Sequence, residues 1–341
     1  MKINLQEPKT LSIFAPYQQT NTTFMSDKNT MTQDQEIALK AKVQEILVNH
    51  GLDFKIAKYR SRSVLEDGVT LLHGEDNAYF NLVNMKTMEC INTCKEGYTI
   101  SQNDEIVELV LRGMEGFGDL LRVTKAGTLN GGRKVFIQLE VSERSRVADD
   151  TVVRYITIID SNDGSTGLSV GIGDVTMSCT NQFVRFYKKG DAKFRHTATI
   201  EQKLKTIPNL IKAALGESEE QIRQYNVMAS TEITAYNIHE MVKEVLGYDR
   251  EITSAEVMAT KKTRSINIMD EVYEHISKEI AGKGMNWWGL HSGITSYTTH
   301  AKKTPKRDNG EMESLMIGGA YQMNQKSLEF VKRKLGMGSE E

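Results

Sequence analysis

The sequence predicts an α+β fold: central antiparallel β-hairpins packed by a long helix, followed by a helical C-terminal half. Three observations carry this. Between residues 119 and 172 apolar and polar residues alternate with period 2, and Asn/Asp/Gly clusters punctuate the runs. From about residue 200 onward the apolar spacing lengthens to three and four residues. The 341 residues are 39% hydrophobic with only four prolines, which suits a packed core and excludes polyproline stalks and a disordered chain.

In chain order, residues 1–33 are rich in Thr, Gln and Asn without an apolar period, and read as an arm that is flexible or ordered by a partner. Asp34 is the expected N-cap of a helix that shows Leu39, Val43, Ile46 and Leu47 on one face and ends at Gly51. Residues 52–60 and 78–94 read as short strands. Asn103 is the expected cap of a helix carrying Ile106, Val107, Val110, Leu111 and Met114, ended by Gly113, Gly116 and Gly118. Residues 119–127 and 133–142 flank the hairpin turn Asn130-Gly131-Gly132. In the second of these strands Val135, Ile137, Leu139 and Val141 alternate with Lys134, Phe136, Gln138 and Glu140, so one buried and one polar face is expected. A second hairpin joins 151–160 to 167–172 through Ser161-Asn162-Asp163-Gly164. Ile200, Leu204, Ile207, Ile211 and Leu215 then share a helical face that Pro208 kinks or splits. Further helices are expected over 218–229, 232–246, 255–282 and 311–335, with a Trp288 helix between the last two. The expected domains are an arm (1–33), an α+β core (34–216) and a helical C-terminal region (217–341).

Composition narrows the function classes. The formal net charge is −2, so the chain is not a basic nucleic-acid coat, and any anion-binding surface is local. No apolar run reaches the roughly 20 residues of a membrane span, and no apolar segment follows Lys2 as in a signal peptide. Three cysteines (Cys90, Cys94, Cys179) make no disulfide framework, so a cytoplasmic location is expected. Charge is segregated. From Thr176 to Lys212 eight basic residues face two acidic ones; from Ala213 to Thr260 nine acidic residues face three basic.

Several chemistries are missing their residues. Gly131-Gly132-Arg133-Lys134 and Gly282-Lys283-Gly284 both lack the phosphate-cradling loop of an ATPase. His239-Glu240 starts like a zinc-protease helix, but position 243 is Lys. Cys90 and Cys94 stand four apart without a second pair, and read better as small buried hydrophobes than as zinc ligands. Cys179 with His196 would make a nucleophile pair with no orienting group nearby. No catalytic residue, metal or cofactor is therefore assigned. Asp160, Asp163 and Asp174 fall at strand ends, where carboxylates can hold Mg²⁺ for phosphodiester cleavage, but Asn162-Asp163-Gly164 reads more simply as a turn. Trp287, Trp288, His291 and His300 read as a helix docking its indoles on the core, in preference to a ligand pocket.

The strip Arg185, Phe186, Tyr187, Lys188, Lys189, continued by Lys193 and Arg195, interleaves aromatic rings with cations, the mixture that single-stranded nucleic acid binds. Lys302, Lys303, Lys306 and Arg307 surround Pro305 and lead into the turn Asp308-Asn309-Gly310, so an exposed basic loop is expected.

Asp160-Ser161-Asn162-Asp163-Gly164 through Leu168, then Val175 to Cys179-Thr180-Asn181, then Phe194-Arg195-His196-Thr197 with Leu204 follow one another in order. With Trp288-Gly289, Thr295, Tyr297, His300 and Ser314 through Gly319, they resemble the motifs of the phage/plasmid-like protein family, domain of unknown function 932. The resemblance runs from about Gly51 to Leu335, including Ala78 to Cys94 and Gly97-Tyr98, and leaves residues 1–33 as an addition. It implies a phage or mobile-element protein acting on DNA in a bacterial cytoplasm. Hairpins crossed by a long helix are similar, at the level of fold analogy, to phage single-strand annealing proteins of the RecT and Redβ kind.

The expected function is therefore ATP-independent binding and annealing of single-stranded DNA in recombination or replication, by a homo-oligomer that meets phage or host replication and recombination proteins and no membrane. Two readings of other classes stand beside it. One is a metal-dependent nuclease using Asp160, Asp163 and Asp174 with His196; the other is a non-catalytic protein that binds a host complex.

Overall fold

The computed structural model describes residues 31–61, 79–178, 180–186, 193–194, 206–247, 263–304, 306 and 309–337. The chain divides into two units, 1–38 and 39–341. In the first, the described residues are 31–38, the entry into helix α1 (Gln33–Asn49). The cap is Thr32, not Asp34: Gln35 N–H donates to Thr32 Oγ1 at 3.3 Å and Thr32 N–H donates to Gln35 Oε1 at 2.9 Å. This reciprocal pair satisfies donors that the first helical turn leaves free.

The second unit is α+β. Antiparallel sheets fill its N-terminal half and helices most of its C-terminal half. Strands β1 (Ile56–Arg60), β2 (Tyr79–Asn84) and β3 (Cys90–Lys95) form a three-stranded sheet. Helix α2 (Asn103–Met114) follows, and a 3₁₀ turn (Glu115–Leu120) ends it. Gln102 takes the capping position expected for Asn103, its N–H donating to Glu105 Oε2 at 3.1 Å. Asn103 is buried instead and donates to the carbonyls of Leu52 and Phe54, tying α2 to the chain before β1.

The larger sheet is a meander of β4 (Leu121–Leu129), β5 (Lys134–Val147), β6 (Asp150–Ser161), β7 (Leu168–Thr176) and β8 (Gln182–Phe186), with β9 (Lys193–Phe194) also paired to β7. Over Lys134–Val141 both faces of β5 are covered, against the expectation of one solvated face. Lys134, Gln138 and Glu140 are each no more than 6% exposed. Each has a polar partner: Asp163 for Lys134, Thr157 for Gln138, and Arg122 and Arg144 for Glu140. Alternation identifies which residues share a face; cross-strand partners decide whether a polar face can be buried.

Helix α3 (Ile207–Ser230) crosses the apolar face of this sheet. It is a single helix where one ending near Leu215 and another over 218–229 were expected; Ile200 and Leu204 lie outside the described residues. Pro208 sits in its first turn, where the missing N–H costs nothing, and the helix runs unbroken past residue 216. Then come α4 (Ala235–Leu246), α5 (Thr263–Lys283), α6 (Trp287–His300), α7 (Gly310–Met316) and α8 (Gly319–Lys334). The helix expected over 311–335 breaks at Ile317-Gly318, where the chain turns so tightly on Ser314 that only glycine fits: a Cβ at 318 would stand 2.8 Å from Ser314 Cα.

One apolar cluster joins sheet and helices: Val147, Val152 and Phe183 pack with Tyr225, Trp287, Trp288, Ile294 and Phe330. Tyr225 and Trp288 stack with ring centroids 4.7 Å apart. His291, 1% exposed, lies 2.8 Å through Nδ1 from Ser327 Oγ, and burial pushes its pKa down to about 3. It is a neutral packing residue, and the indoles of α6 belong to the core.

Candidate functional site

The sequence strip selected for nucleic acid falls at the far edge of the larger sheet. On β8, Arg185 is opposite Ile172 and Phe186 is opposite Gly171; on β9, Lys193 is opposite Ser169. Tyr187, Lys188 and Lys189, which fall between the two strands in sequence, lie outside the described residues, as do Arg195, His196 and Cys179.

The outward edge of β8 is closed by helix side chains. Gln182 N–H donates to Thr299 Oγ1 at 3.1 Å, and the Val184 carbonyl accepts from Gln325 Nε2 at 2.9 Å. These groups occupy positions that an added strand would need.

The second basic segment runs between α6 and α7. Lys303 and Lys306 are exposed; Lys302 is half-buried, its side chain packed beside Gly319 at the start of α8; Arg307 lies outside the described residues. Asn309 Nδ2 donates to the Thr128 carbonyl at 2.8 Å, and Met312 and Met316 of α7, with Ile317 just after it, pack on Leu129, Phe136, Ile159 and Val184. Ile159 is opposite Ser169, which is itself opposite Lys193. The segment bearing Lys303 and Lys306 is therefore anchored at the sheet level where β9 pairs.

The motif Asp160–Gly164 makes a turn. Asp163 Oδ1 accepts from Ser165 N–H at 2.9 Å and lies 2.9 Å from Ser161 Oγ, and Oδ2 is paired with the buried Lys134 ammonium. Gly164 has φ +73°, the left-handed conformation that suits glycine here. Asn162 Oδ1 accepts from Tyr98 Oη at 3.1 Å, and burial with Asp160 nearby pushes the Tyr98 phenol well above its ordinary range. Asp160 is 1% exposed. Asp174 is elsewhere: it is opposite Arg154, six residues and roughly 20 Å along β6 from Asp160. There it accepts from Gln221 Nε2 at 2.7 Å and Tyr225 Oη at 3.0 Å. The three carboxylates do not converge, and among the described residues no three His, Cys, Asp or Glu side chains stand together as metal ligands. Cys90 is exposed, Cys94 is buried, and burial pushes the Cys94 thiol up, away from thiolate chemistry.

Burial alone would push the Asp163 carboxyl up. The hydrogen bonds from Lys134, Ser165 and Ser161 outweigh it and hold the group below its ordinary value. A depressed folded pKa adds stability that is present above the unfolded value, about 3.9, and is lost as pH falls through the folded one. Lys134→Met is thus expected to destabilise by about 1–3 kcal/mol at pH 7, and the gap to wild type should narrow below pH ~4. Denaturant midpoints at the two pH values check this; a gap that does not change with pH contradicts it.

Sequence reasoning missed one constellation. Lys283 Nζ lies 2.6 Å from Glu279 Oε2 and 3.2 Å from Asp150 Oδ2, all three side chains being nearly buried. Trp288 Nε1 donates to Asp150 Oδ2 at 3.1 Å. Asn181 Nδ2 donates to Glu279 Oε1 and to the Ser292 carbonyl, both at 3.1 Å, and its Oδ1 is 3.2 Å from His300 Nε2. The network ties the turn after β7 to α5 and α6 and offers no open face for a substrate. Asn181, Trp288 and His300 were legible as motif residues; Asp150, Glu279 and Lys283 carried no signal.

These motif residues fall within one family model. The domain of unknown function DUF932 matches residues 91–316, about two thirds of the chain. The chain belongs to the DUF932 family. No curated protein and no solved structure matches it. Within the DUF932 region lie the larger sheet, the Asp160–Gly164 turn, the Asn181 network and α7. Among the described residues no helix is long and apolar enough to cross a membrane.

Proposed function

We propose that this DUF932 protein binds and anneals single-stranded DNA without nucleotide hydrolysis, as a phage or mobile-element protein of recombination or replication in a bacterial cytoplasm. The observation that carries this is the common location of two cation-rich segments. Lys193 on β9 pairs at the level of Ile159, where α7 anchors the segment bearing Lys303 and Lys306, and Arg185 of β8 is opposite Ile172, three residues further along β7. Lysines on an exposed segment neutralise phosphates, and annealing then needs only a neutralised backbone with bases left outward. A homo-oligomer aligning strands side by side follows from the same mechanism, and the resemblance to a phage/plasmid-like family agrees with it. The nuclease reading is weaker, because Asp163 is committed to Lys134 and Asp174 stands apart.

Fluorescence anisotropy with labelled oligonucleotide over a salt series tests the proposal. Affinity should fall steeply with salt. Replacing Lys303 and Lys306 together by alanine should leave stability within about ±0.5 kcal/mol. It should also weaken binding at every sequence and make the salt slope shallower by roughly 0.7 per lost phosphate contact. Wild-type affinity and slope in that variant would show that these lysines are only solvated surface.

A further inference from the structure

We infer that the face of the three-stranded sheet left open among the described residues is a second nucleic-acid contact, a platform on which unpaired bases stack against Tyr59 and Tyr79; this rests on the reading of the chain as a single-strand binder. Strand register defines the face. Tyr59 is opposite Asn81, Asn81 is opposite Thr93, and Tyr79 is opposite Lys95, so all five side chains project to one side. The other side is the packed one: Ile56, Leu82 and Cys94 are buried, and Phe80 lies under the Lys58 ammonium, 4.7 Å from its ring centroid.

On the open side the two tyrosines are 47% and 48% exposed, unusually high for aromatic residues on a sheet. They are diagonal neighbours across β1 and β2, about 7 Å apart. That spacing suits bases drawn apart from their duplex stacking distance of about 3.4 Å. Thr93 Oγ1 donates to Asn81 Oδ1 at 3.0 Å, holding the polar row between them. Lys95, exposed and directly across from Tyr79, is positioned to meet a phosphate. These five positions include no carboxylate. Ala57 and Val83 share this side but are half-buried, so its exposed groups are two rings, one hydroxyl and one cation, which fit a single strand better than an apolar protein helix.

The test uses the full chain and two probes, oligo(dT) and an abasic oligomer of equal length. Tyr59→Ala with Tyr79→Ala should weaken oligo(dT) binding by about tenfold per ring. The salt slope should not change, because no phosphate contact is removed. Phenylalanine at both positions keeps the π-faces and should restore affinity. The abasic oligomer should bind wild type and the alanine variant alike. If oligo(dT) binding is unchanged in the alanine variant while Lys303→Ala/Lys306→Ala weakens it, the platform is wrong and the single-strand reading stands. If the alanine variant loses affinity equally for the abasic oligomer, the tyrosines do not stack on bases and the platform is wrong. A wild-type chain that binds neither probe removes both proposals.

Discussion

A protein with valine at position 293 is expected to melt far below wild type or to fail to fold. Gly293 lies where α6 crosses α5, and a Cβ there would stand 2.5 Å from Ile276 Cα and 2.6 Å from its Cγ1. The first of these is backbone, so no rotamer change relieves it, and the two helices must separate. Overpacking in cores costs about 1–3 kcal/mol, and this contact belongs at or above the upper end. Gly289, one turn earlier, repeats the constraint with the Gly284 carbonyl 2.6 Å from its Cβ position. Gly282→Ala is the control. Nothing lies within 4 Å of that Cβ position inside α5, and alanine there should be neutral or stabilising by up to ~1 kcal/mol. Thermal melting of both variants checks the pair. A Gly293→Val protein as stable as wild type would mean that α5 and α6 do not cross at this point.

The second large effect is expected from Lys283→Met. The substitution keeps the volume of the stem but leaves Asp150 and Glu279, nearly buried, without their shared ammonium. Removing one partner of a buried ion pair costs about 3–5 kcal/mol, mostly through the charge left behind. Adding Asp150→Asn and Glu279→Gln to the same chain removes those charges and should recover much of the loss. Urea denaturation of the single and triple variants measures both. Equal instability of the two variants would show that the charges left on Asp150 and Glu279 are not what costs stability.

The elements were legible where their signal is local. Asn130-Gly131-Gly132 between alternating strands marked the β4–β5 hairpin, because its left-handed turn positions call for these residues. The Asp160–Gly164 turn was legible for the same reason: its bonds from Ser161 and Ser165 span at most two residues. What lies on the far side of an element was not. Lys134, Gln138 and Glu140 look solvent-facing until their partners on neighbouring strands are known. In the Asn181 network only Glu279 and Lys283 stand at helical spacing; the links from 150 to 283, from 181 to 279 and from 181 to 300 span about a hundred residues or more and leave no periodic trace. Tyr59 and Tyr79 fell on two predicted strands, but only the pairing register puts them on one face.

Strand annealing tests the central claim most directly. Complementary labelled oligonucleotides are mixed with the full-length protein in buffer without ATP, and the rate of duplex formation is followed by energy transfer. Joining faster than the spontaneous rate is expected, reduced by salt and by Lys303→Ala with Lys306→Ala. Joining no faster than with no protein present would contradict it.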